Sequence, residues 1–531
     1  MIRQLRTLPV VAVLLVLFLS LALAGCAPVG APVAQPDAAA TTAAPAEPAT
    51  PKAGGVLIAA RAADAKGLDP HVQTAFSSFR ALEQIYEPLL RLDADMNVIP
   101  NLAESWAWSE DGKTLALTLR DNVKFHDGTP MTSADVKFSF ERILNEATGA
   151  ASRSFFTAIE SIDTPDDYTV VFNLAAPNAA LLAAVTNPNS AILSKAWLEG
   201  GADPAVDTNG TGPFKLKSWE PDNLMVLEAN PDYWQAGLPY LAGIELRTIP
   251  DETSILAALR AGEVDWAIIN DPRVGVTAAT ADLTLMRSPA LAYHVLQLNA
   301  TRPQFQDERV RLAISCAIDR QQVLDTASLG EGEVTAPATP LNYRAPLDEL
   351  TCYTKDVERA QQLLADAGVS DVKFTMIAAA DEPPTALAEA QNIQAQLEEI
   401  GVTAEIETLE LGVYVDRWLK GDFDAAIALN GGNPDPDNMF YRYWHSTGNL
   451  NKVAGYSSPA IDALLDDARS TVDVAKRKEL YLEIQKQLTA AAPWIWLYVG
   501  NEYRPMQKDV MGYTPLNNGS TVYLRETWLN R

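Results

Sequence analysis

Between Val372 and Leu429 short apolar runs alternate with amphipathic stretches, and no other feature limits the fold of this chain so narrowly. Val372 to Ile377, Val402 to Thr408 and Ala425 to Leu429 have strand length. Between them lie two helical patterns, one carrying Leu387, Ile393, Leu397 and Ile400, the other Tyr414, Val415, Trp418 and Leu419. Strand, helix, strand, helix, strand implies parallel neighbours joined by right-handed crossovers, an α/β arrangement. After Leu429 the pattern breaks into Asn430-Gly431-Gly432-Asn433-Pro434-Asp435-Pro436, which cannot continue a ladder, so the backbone turns out at a strand's carboxyl end. Ligands bind at that edge in open α/β sheets. Asn430, Gly431, Gly432, Asn433 and Asp435 are therefore candidate ligand residues.

The rest of the chain supplies similar edges. Gly55 to Ala60 reads as a first strand, followed by a loop through Asp69, Pro70 and His71 and a helix from about Ser77 to Leu90. His71, Thr74 and Phe76 are candidates from that edge. Trp106 to Leu119 reads as a hairpin turning at Asp111-Gly112, and Thr132 with Asp135 forms a capping-box pattern ahead of Val136, Phe140, Ile143 and Leu144. With a strand at Tyr168 to Leu174, residues 91–205 form an inserted α+β unit. Strands at Phe214 to Trp219, Leu224 to Ala229 and Gly243 to Ile249 follow, then a helix over Thr253 to Ala261 and a strand at Val264 to Ile269. That last strand places Trp266 and Asn270 near another carboxyl end. A strand at Tyr293 to Asn299 precedes a helix over Asp307 to Ala317. Helices near Ile461 to Ala468 and Val474 to Leu488 precede a final strand, Trp494 to Val499. Alternation sets Trp494, Trp496 and Tyr498 on one face of it and Ile495, Leu497 and Val499 on the other. Large aromatics on strands more often pack a core than touch a ligand; Trp266 and Trp496 are kept as candidates beside that reading.

The chain is long enough for roughly two to four compact units. It carries 41 Lys and Arg against 68 Asp and Glu, a net charge of −27, which argues against nucleic acid, since phosphate binding needs clustered cations. The first 25 residues stand apart. Arg3 and Arg6 precede an uncharged run from Leu8 to Ala24, and Leu23-Ala24-Gly25-Cys26 reads as a bacterial lipoprotein signal cleaved before Cys26, which would carry the lipid. An uncleaved anchor is the competing reading, but the run is at the short limit for spanning. Ala27 to Lys52, rich in Ala, Pro and Thr, offers little to bury and reads as a disordered tether. Cys316 and Cys352 remain; they could pair in an exported protein, or Cys316 could be a small buried residue on its helix.

Motifs for nucleotide binding, nucleophilic catalysis and zinc are missing: there is no P-loop, G-x-S-x-G, H-E-x-x-H or C-x-x-C. The four histidines, His71, His126, His294 and His445, show no metal-ligand spacing, and His126-Asp127-Gly128 suits a turn better than a catalytic pair. No cofactor and no metal are expected.

Several runs carry a family resemblance. Leu102-Ala103-Glu104-Ser105-Trp106, Val123-Lys124-Phe125-His126-Asp127-Gly128-Thr129-Pro130 and Ala134-Asp135-Val136 are joined by Gly210-Thr211-Gly212-Pro213-Phe214, Asn230-Pro231-Asp232-Tyr233-Trp234, Ala317-Ile318-Asp319-Arg320 and Asp435-Pro436-Asp437-Asn438. Together they resemble the extracytoplasmic solute-binding proteins of ABC importers, family 5, the peptide, opine and nickel class. The resemblance implies a two-lobed periplasmic-binding-protein-like α/β fold (type II, cluster C) with an extra α+β subdomain in the first lobe. Residues 1–25 would be the signal peptide and 26–53 the lipidated tether. Lobe I would comprise 54–90, 206–290 and 500–531, with 91–205 inserted, and lobe II would span 291–499. Peptide-binding members often read Asp-Tyr-Pro-Asp-Pro where this chain has Gly432-Asn433-Pro434-Asp435-Pro436, and the first Asp pairs with the peptide's amino terminus. Glycine at 432 removes that charge-assisted partner.

The expected function is a membrane-tethered receptor that captures a small solute, a peptide, oligosaccharide or chelate, and hands it to the permease subunits of an ABC importer. The expected state is an extracytoplasmic monomer held to the membrane by lipid on Cys26. Two alternatives stand beside it: an exported hydrolase using paired carboxylates such as Asp435 and Asp437, and a sensor or adhesion lipoprotein on the same fold.

Overall fold

The computed structural model describes residues 50–531 apart from 74, 381, 382 and 449. The leader, Cys26, nearly all of the tether and Thr74 lie outside the described residues. Two long strands, Leu283–Leu298 and Trp494–Gln507, run antiparallel through the middle of the molecule, from Leu283 opposite Gln507 to Gln297 opposite Trp494. Sequence patterning predicted only Tyr293 to Asn299 and Trp494 to Val499, because Pro289 and Pro505 punctuate the longer runs and proline normally demotes a strand. Pro289 is tolerated because the ladder breaks directly after it. Pairing stops at Pro289 opposite Asn501 and resumes at Tyr293 opposite Val499. Three residues, Ala290 to Ala292, thus face Gly500 alone, and the Leu291 N–H donates to Asn517 O instead, at 2.8 Å.

Every strand of the large sheet is ordered about this pair. On one side Leu283–Leu298 pairs with Ala425–Asn430, which is followed by Lys373–Ala379 and Thr403–Leu409, all three parallel to one another as the strand-helix alternation implies. On the other side Trp494–Gln507 is followed by Trp266–Ala267, Val56–Arg61, Gly243–Thr248, Leu224–Ala229 and Phe214–Glu220. The hydrogen-bonded sheet is continuous, yet its two halves bury separate cores. Around Leu298, Ile427 and Leu497 on one face and Tyr443, Trp494 and Trp496 on the other lies the second lobe's core. Leu57, Phe214, Ile244 and Trp266 on one face, with Ile255, Leu259 and Tyr503 on the other, build the first lobe's core.

A four-stranded antiparallel sheet, Ala103–Trp108, Thr114–Leu119, Thr169–Leu174 and Ile159–Asp166, packs under the Ser133–Leu144 helix in the stretch read as inserted. Phe140 meets Phe156 and Phe172 edge-on, with ring centroids 5.0 and 4.8 Å apart. The capping box forms, and the Thr132 N–H donates to Asp135 Oδ2 at 2.9 Å.

Three local expectations change. The helix predicted to Leu90 ends at Leu82 and gives way to turns; Pro88 bars helix at Glu87, whose carboxylate accepts from Tyr233 Oη (2.8 Å) and Trp234 Nε1 (2.9 Å). In the last strand a register shift at His294/Val295 turns Tyr498 to the face of Ile495 and Leu497, and Val499 to the face of Trp494 and Trp496. The Leu411–Lys420 helix buries Tyr414 but leaves Val415 and Leu419 exposed.

Cys316 and Cys352 are joined, with Cα atoms 4.6 Å apart, and tie the Glu308–Ala317 helix to a loop 36 residues further on. Among the described residues no helix is long and apolar enough to cross a membrane. A loop of that length contributes about 2–4 kcal/mol by restricting the unfolded chain. The double variant Cys316→Ala/Cys352→Ala is expected to lose about that much unfolding free energy in urea titration while keeping the far-UV circular dichroism of the parent.

Candidate functional site

A cavity of about 790 Å³ opens where the two long strands lose their pairing. Ala290, Ala292, Gly500 and Asn501 form its floor. Arg61, Lys66, Phe76 and Arg80 approach from the first lobe, and His294, Ser328, Thr385 and Leu429 from the second. The size suits a small solute, for such sites span about 300–1,000 Å³. A smaller cavity of about 130 Å³ adjoins it at Phe76 and Arg80, between Phe79, Glu83 and Ser520 on one side and Gly432, Asn433, Pro434 and Asn438 on the other. Away from the cavities the Ala179 N–H donates to Arg469 O at 2.9 Å, and Leu291 packs on Leu92 and Met96.

The loop after Leu429 reaches this cleft because the Ala425–Asn430 strand pairs antiparallel with Tyr293 to Leu298, so its carboxyl end stops beside the ladder break. Leu429 is 39% exposed and lines the larger cavity, whereas Asn430 is buried and its Nδ2 lies 3.4 Å from Tyr293 Oη. Gly431 faces open space. Gly432 is required by packing: a Cβ there would lie 1.9 Å from the Leu291 carbonyl oxygen, so any side chain would displace the backbone at the ladder break. An amine-binding Asp therefore has no room at 432. Asn433 Oδ1 accepts from the Asp435 N–H at 3.1 Å and holds the turn.

Asp435 is engaged internally. Its carboxylate takes a bidentate pair from Arg477, Nη1 to Oδ2 at 2.5 Å and Nη2 to Oδ1 at 2.7 Å, with both side chains buried. Asp437 is likewise held by Arg469 Nη2 at 2.7 Å, and burial raises its carboxyl. The two carboxylates that a hydrolase would use are thus structural anchors, binding the loop to the Pro459–Ser470 and Val474–Ala491 helices.

Three other sequence candidates are packed away from the cleft. His71 is fully buried: its Nε2–H donates to Ala191 O at 2.9 Å and its Nδ1 accepts from Arg142 Nη1 at 2.8 Å. Burial first, and then the Arg142 charge, lower the imidazole to about 4 and keep it neutral. Trp266 lies in the first lobe's core, edge-on to Tyr513 at 5.3 Å, and Trp496 joins Trp444 and Trp494 in the second. Both follow the general rule for aromatics on strands. Asn270 does line the larger cavity, with its Nδ2 donating to Glu252 Oε1 at 3.2 Å, and Phe76 projects into both cavities, 55% exposed.

Sequence reading missed several polar groups that line the cavity. Arg61 ends the first strand, donating from Nη1 to Ser77 O at 2.8 Å and pairing with Asp64. Its place at a strand's carboxyl end was a usable signal. Arg80, one helical turn after Phe76, donates from Nε to Gly519 O at 3.0 Å and from Nη2 to Glu502 Oε1 at 3.3 Å. Glu502 lies beyond the predicted end of its strand and gave no signal. On the opposite wall His294 stacks on Tyr498, ring centroids 4.2 Å apart, with Nδ1 2.8 Å from Glu389 Oε1. Burial alone would raise the Glu389 carboxyl, but the neighbouring imidazole and the Thr385 and Tyr498 hydroxyls hold it below its ordinary value. Among the described residues no group of three His, Cys, Asp or Glu side chains could hold a metal ion.

Comparison with known proteins gives one consistent picture. A family model described as bacterial extracellular solute-binding proteins, family 5 middle, matches residues 97–451. The probable D,D-dipeptide-binding periplasmic protein DdpA of Escherichia coli K12 is 30% identical over 86% of this chain and 91% of its own. Glutathione-binding protein GsiB of Salmonella typhimurium is 29% identical over 84% and 89%. Among solved structures, AgaA of A. tumefaciens R10 in complex with agropinic acid superposes with a TM-score of 0.76 at 28% identity, covering 90% of this chain and 99% of that one. DppA of Helicobacter pylori in complex with the peptide STSA gives 0.74 at 30% identity, with coverage of 90% and 99%.

If Asp435 serves the loop and not a reaction, Asp435→Asn leaves Arg477 buried without its charge partner, at a cost of about 3–5 kcal/mol. The expected outcome in thermal and urea unfolding is a loss of that order. Destabilisation near zero, with solute binding abolished, would return Asp435 to the ligand site.

Proposed function

The chain belongs to the bacterial extracellular solute-binding proteins of family 5, and from that premise we propose that the cavity at the ladder break is where its solute is held. The protein captures a small solute outside the cytoplasm for an ABC importer, and it binds without transforming. We assign lobe I to 54–90, 206–290 and 500–531 with 91–205 inserted, and lobe II to 291–499. The single observation that carries the site assignment is the coincidence of a cavity of about 790 Å³ with the point where both crossing strands lose their pairing. A break there lets two lobes with separate cores rotate about a short segment where the two long strands are not paired with each other, and closure excludes water from whatever lies between them.

Within the site Phe76 offers an aromatic face and Asn270 and Asn433 offer amides, while Gly431, with open space around it, leaves room for the solute to approach the loop. Relatives bind chemically different solutes, as the names of a dipeptide-, a glutathione- and an agropinic-acid-binding protein record. The family therefore supports a peptide-sized polar ligand without naming it. The lipoprotein pattern ending at Cys26 supports attachment of the mature N-terminus to the cell membrane, with the following residues as spacer.

Native mass spectrometry of the mature protein, purified without dialysis against denaturant, is expected to show one small molecule per chain released intact at high collision energy. A folded protein that carries nothing, and whose thermal stability no peptide, oligosaccharide or chelate raises, would contradict solute capture.

A further inference from the structure

Among the described residues, the charge that lines the cleft opposes the charge of the chain. The protein as a whole is −27, yet the described residues lining the larger cavity include three permanent cations, Arg61, Lys66 and Arg80, against one carboxylate, Glu502. Which of these charges is already neutralised decides what the cavity wants. Arg61 is matched by Asp64, whose other oxygen accepts from Trp219 Nε1 and the Asp222 N–H, both at 2.8 Å. Arg80 is matched only in part. Glu502 is shared between two guanidiniums, at 3.3 Å from Arg80 Nη2 and 2.7 Å from Arg504 Nη2, which leaves one positive charge in that trio uncompensated. Lys66 has Asp222 alone, at 3.8 Å with both side chains mostly exposed, a contact worth little.

The remaining acids nearby are committed elsewhere. Glu331 pairs with Arg287 at 3.1 Å, and Glu389 is buried against His294. Glu83, in the adjoining cavity and within reach of the Arg80 charge, accepts from Ser520 and Thr521, and its burial raises the carboxyl towards the neutral form. The position where a carboxylate would receive an ammonium is closed to any side chain by the Leu291 carbonyl at Gly432. The rest of the wall is largely apolar, from Ala62, Ala63, Ile268, Ala292 and Leu429 to the exposed ring of Phe76.

We propose that the cleft selects amphipathic organic anions, with the carboxylate or other oxyanion of the solute held at Arg80 beside Lys66 and its apolar body lying along Phe76 and the alanine-lined floor. This rests on the assignment of the cavity as the solute site and adds its chemical class. Arg80 is suited to the task because its guanidinium, already fixed by the Gly519 carbonyl and by Phe76, whose ring centroid is 5.7 Å from the guanidinium carbon, loses little freedom on binding.

The test is isothermal titration of the mature protein, at low salt, with four forms of one tripeptide, Ala-Phe-Ala: N-acetylated with a free carboxylate, amidated with a free amine, blocked at both ends, and free at both. The acetylated anion is expected to bind about tenfold more tightly than the amidated cation, with the doubly blocked form between them. Arg80→Gln should remove most of that preference, and Lys66→Gln, at an exposed position that cannot endanger the fold, should reduce it about twofold. Glu502→Gln, which releases Arg80, should move the other way and tighten the anion. A cation that binds as well as the anion, or an anion indifferent to all three variants, would overturn the proposal. No binding of any form would also overturn it, whereas a molecule retained through purification would leave the solute-receptor reading standing.

Discussion

The interrupted ladder between Leu283–Leu298 and Trp494–Gln507 is the constraint on which the rest of the molecule depends. An unbroken antiparallel pair of that length would weld both halves of the sheet into one twisted slab. Placing Ala290, Leu291 and Ala292 against Gly500 alone removes the cross-links at one level and keeps them above and below. Four cores then form in two pairs, one pair on each side of the break. The cavity is the space that the missing side chains leave: alanine, alanine and glycine on the floor cannot fill it. Backbone N–H groups freed by the break still need partners, and the Leu291 N–H finds one in Asn517 from the chain's last segment. The carboxyl terminus is thereby tied to the cleft floor.

Ion pairs then fix the loops that overhang the floor. Arg477 and Arg469 hold Asp435 and Asp437 from two consecutive helices, so the loop after Asn430 is set by charges 42 and 32 residues away. Its Gly432 lies so close to Leu291 that loop and ladder break form one packed unit. An acidic side chain at 432 has no room, so closely does this chain pack its loop on the break. The partly compensated trio of Arg80, Glu502 and Arg504 lies on the opposite wall, where the first helix and the second crossing strand meet.

How much of this was legible in the sequence follows from range. Parallel strands at 373–409 and 425–430 were readable because a period of two and a period of 3.6 alternate there without interruption, and Thr132 with Asp135 announced a helix start by contacts three residues apart. The crossing strands were not, because Pro289, Pro505 and the charged residues Arg287, Glu502 and Arg504 disguise them, and only pairing more than two hundred residues away accounts for their length. The loop's place at a carboxyl edge was visible, but its chemistry was not. Nothing local distinguishes an Asp435 that meets solute from one that meets Arg477, or a His71 that faces a cleft from one locked between Arg142 and Ala191. Residues 102–136 and 210–234 carried the family pattern, which named the two-lobed fold and the solute-binding role without naming a ligand.

The central claim is that solute occupies the space over the ladder break, and filling that space tests it most directly. Ala292→Trp puts an indole into the cavity from its floor, at a half-buried position with room around it. Calorimetric titration of this variant with the molecule retained by the parent protein is expected to show binding lost, with the unfolding transition of the parent preserved. Undiminished affinity in a folded Ala292→Trp protein would place the solute elsewhere and contradict the account.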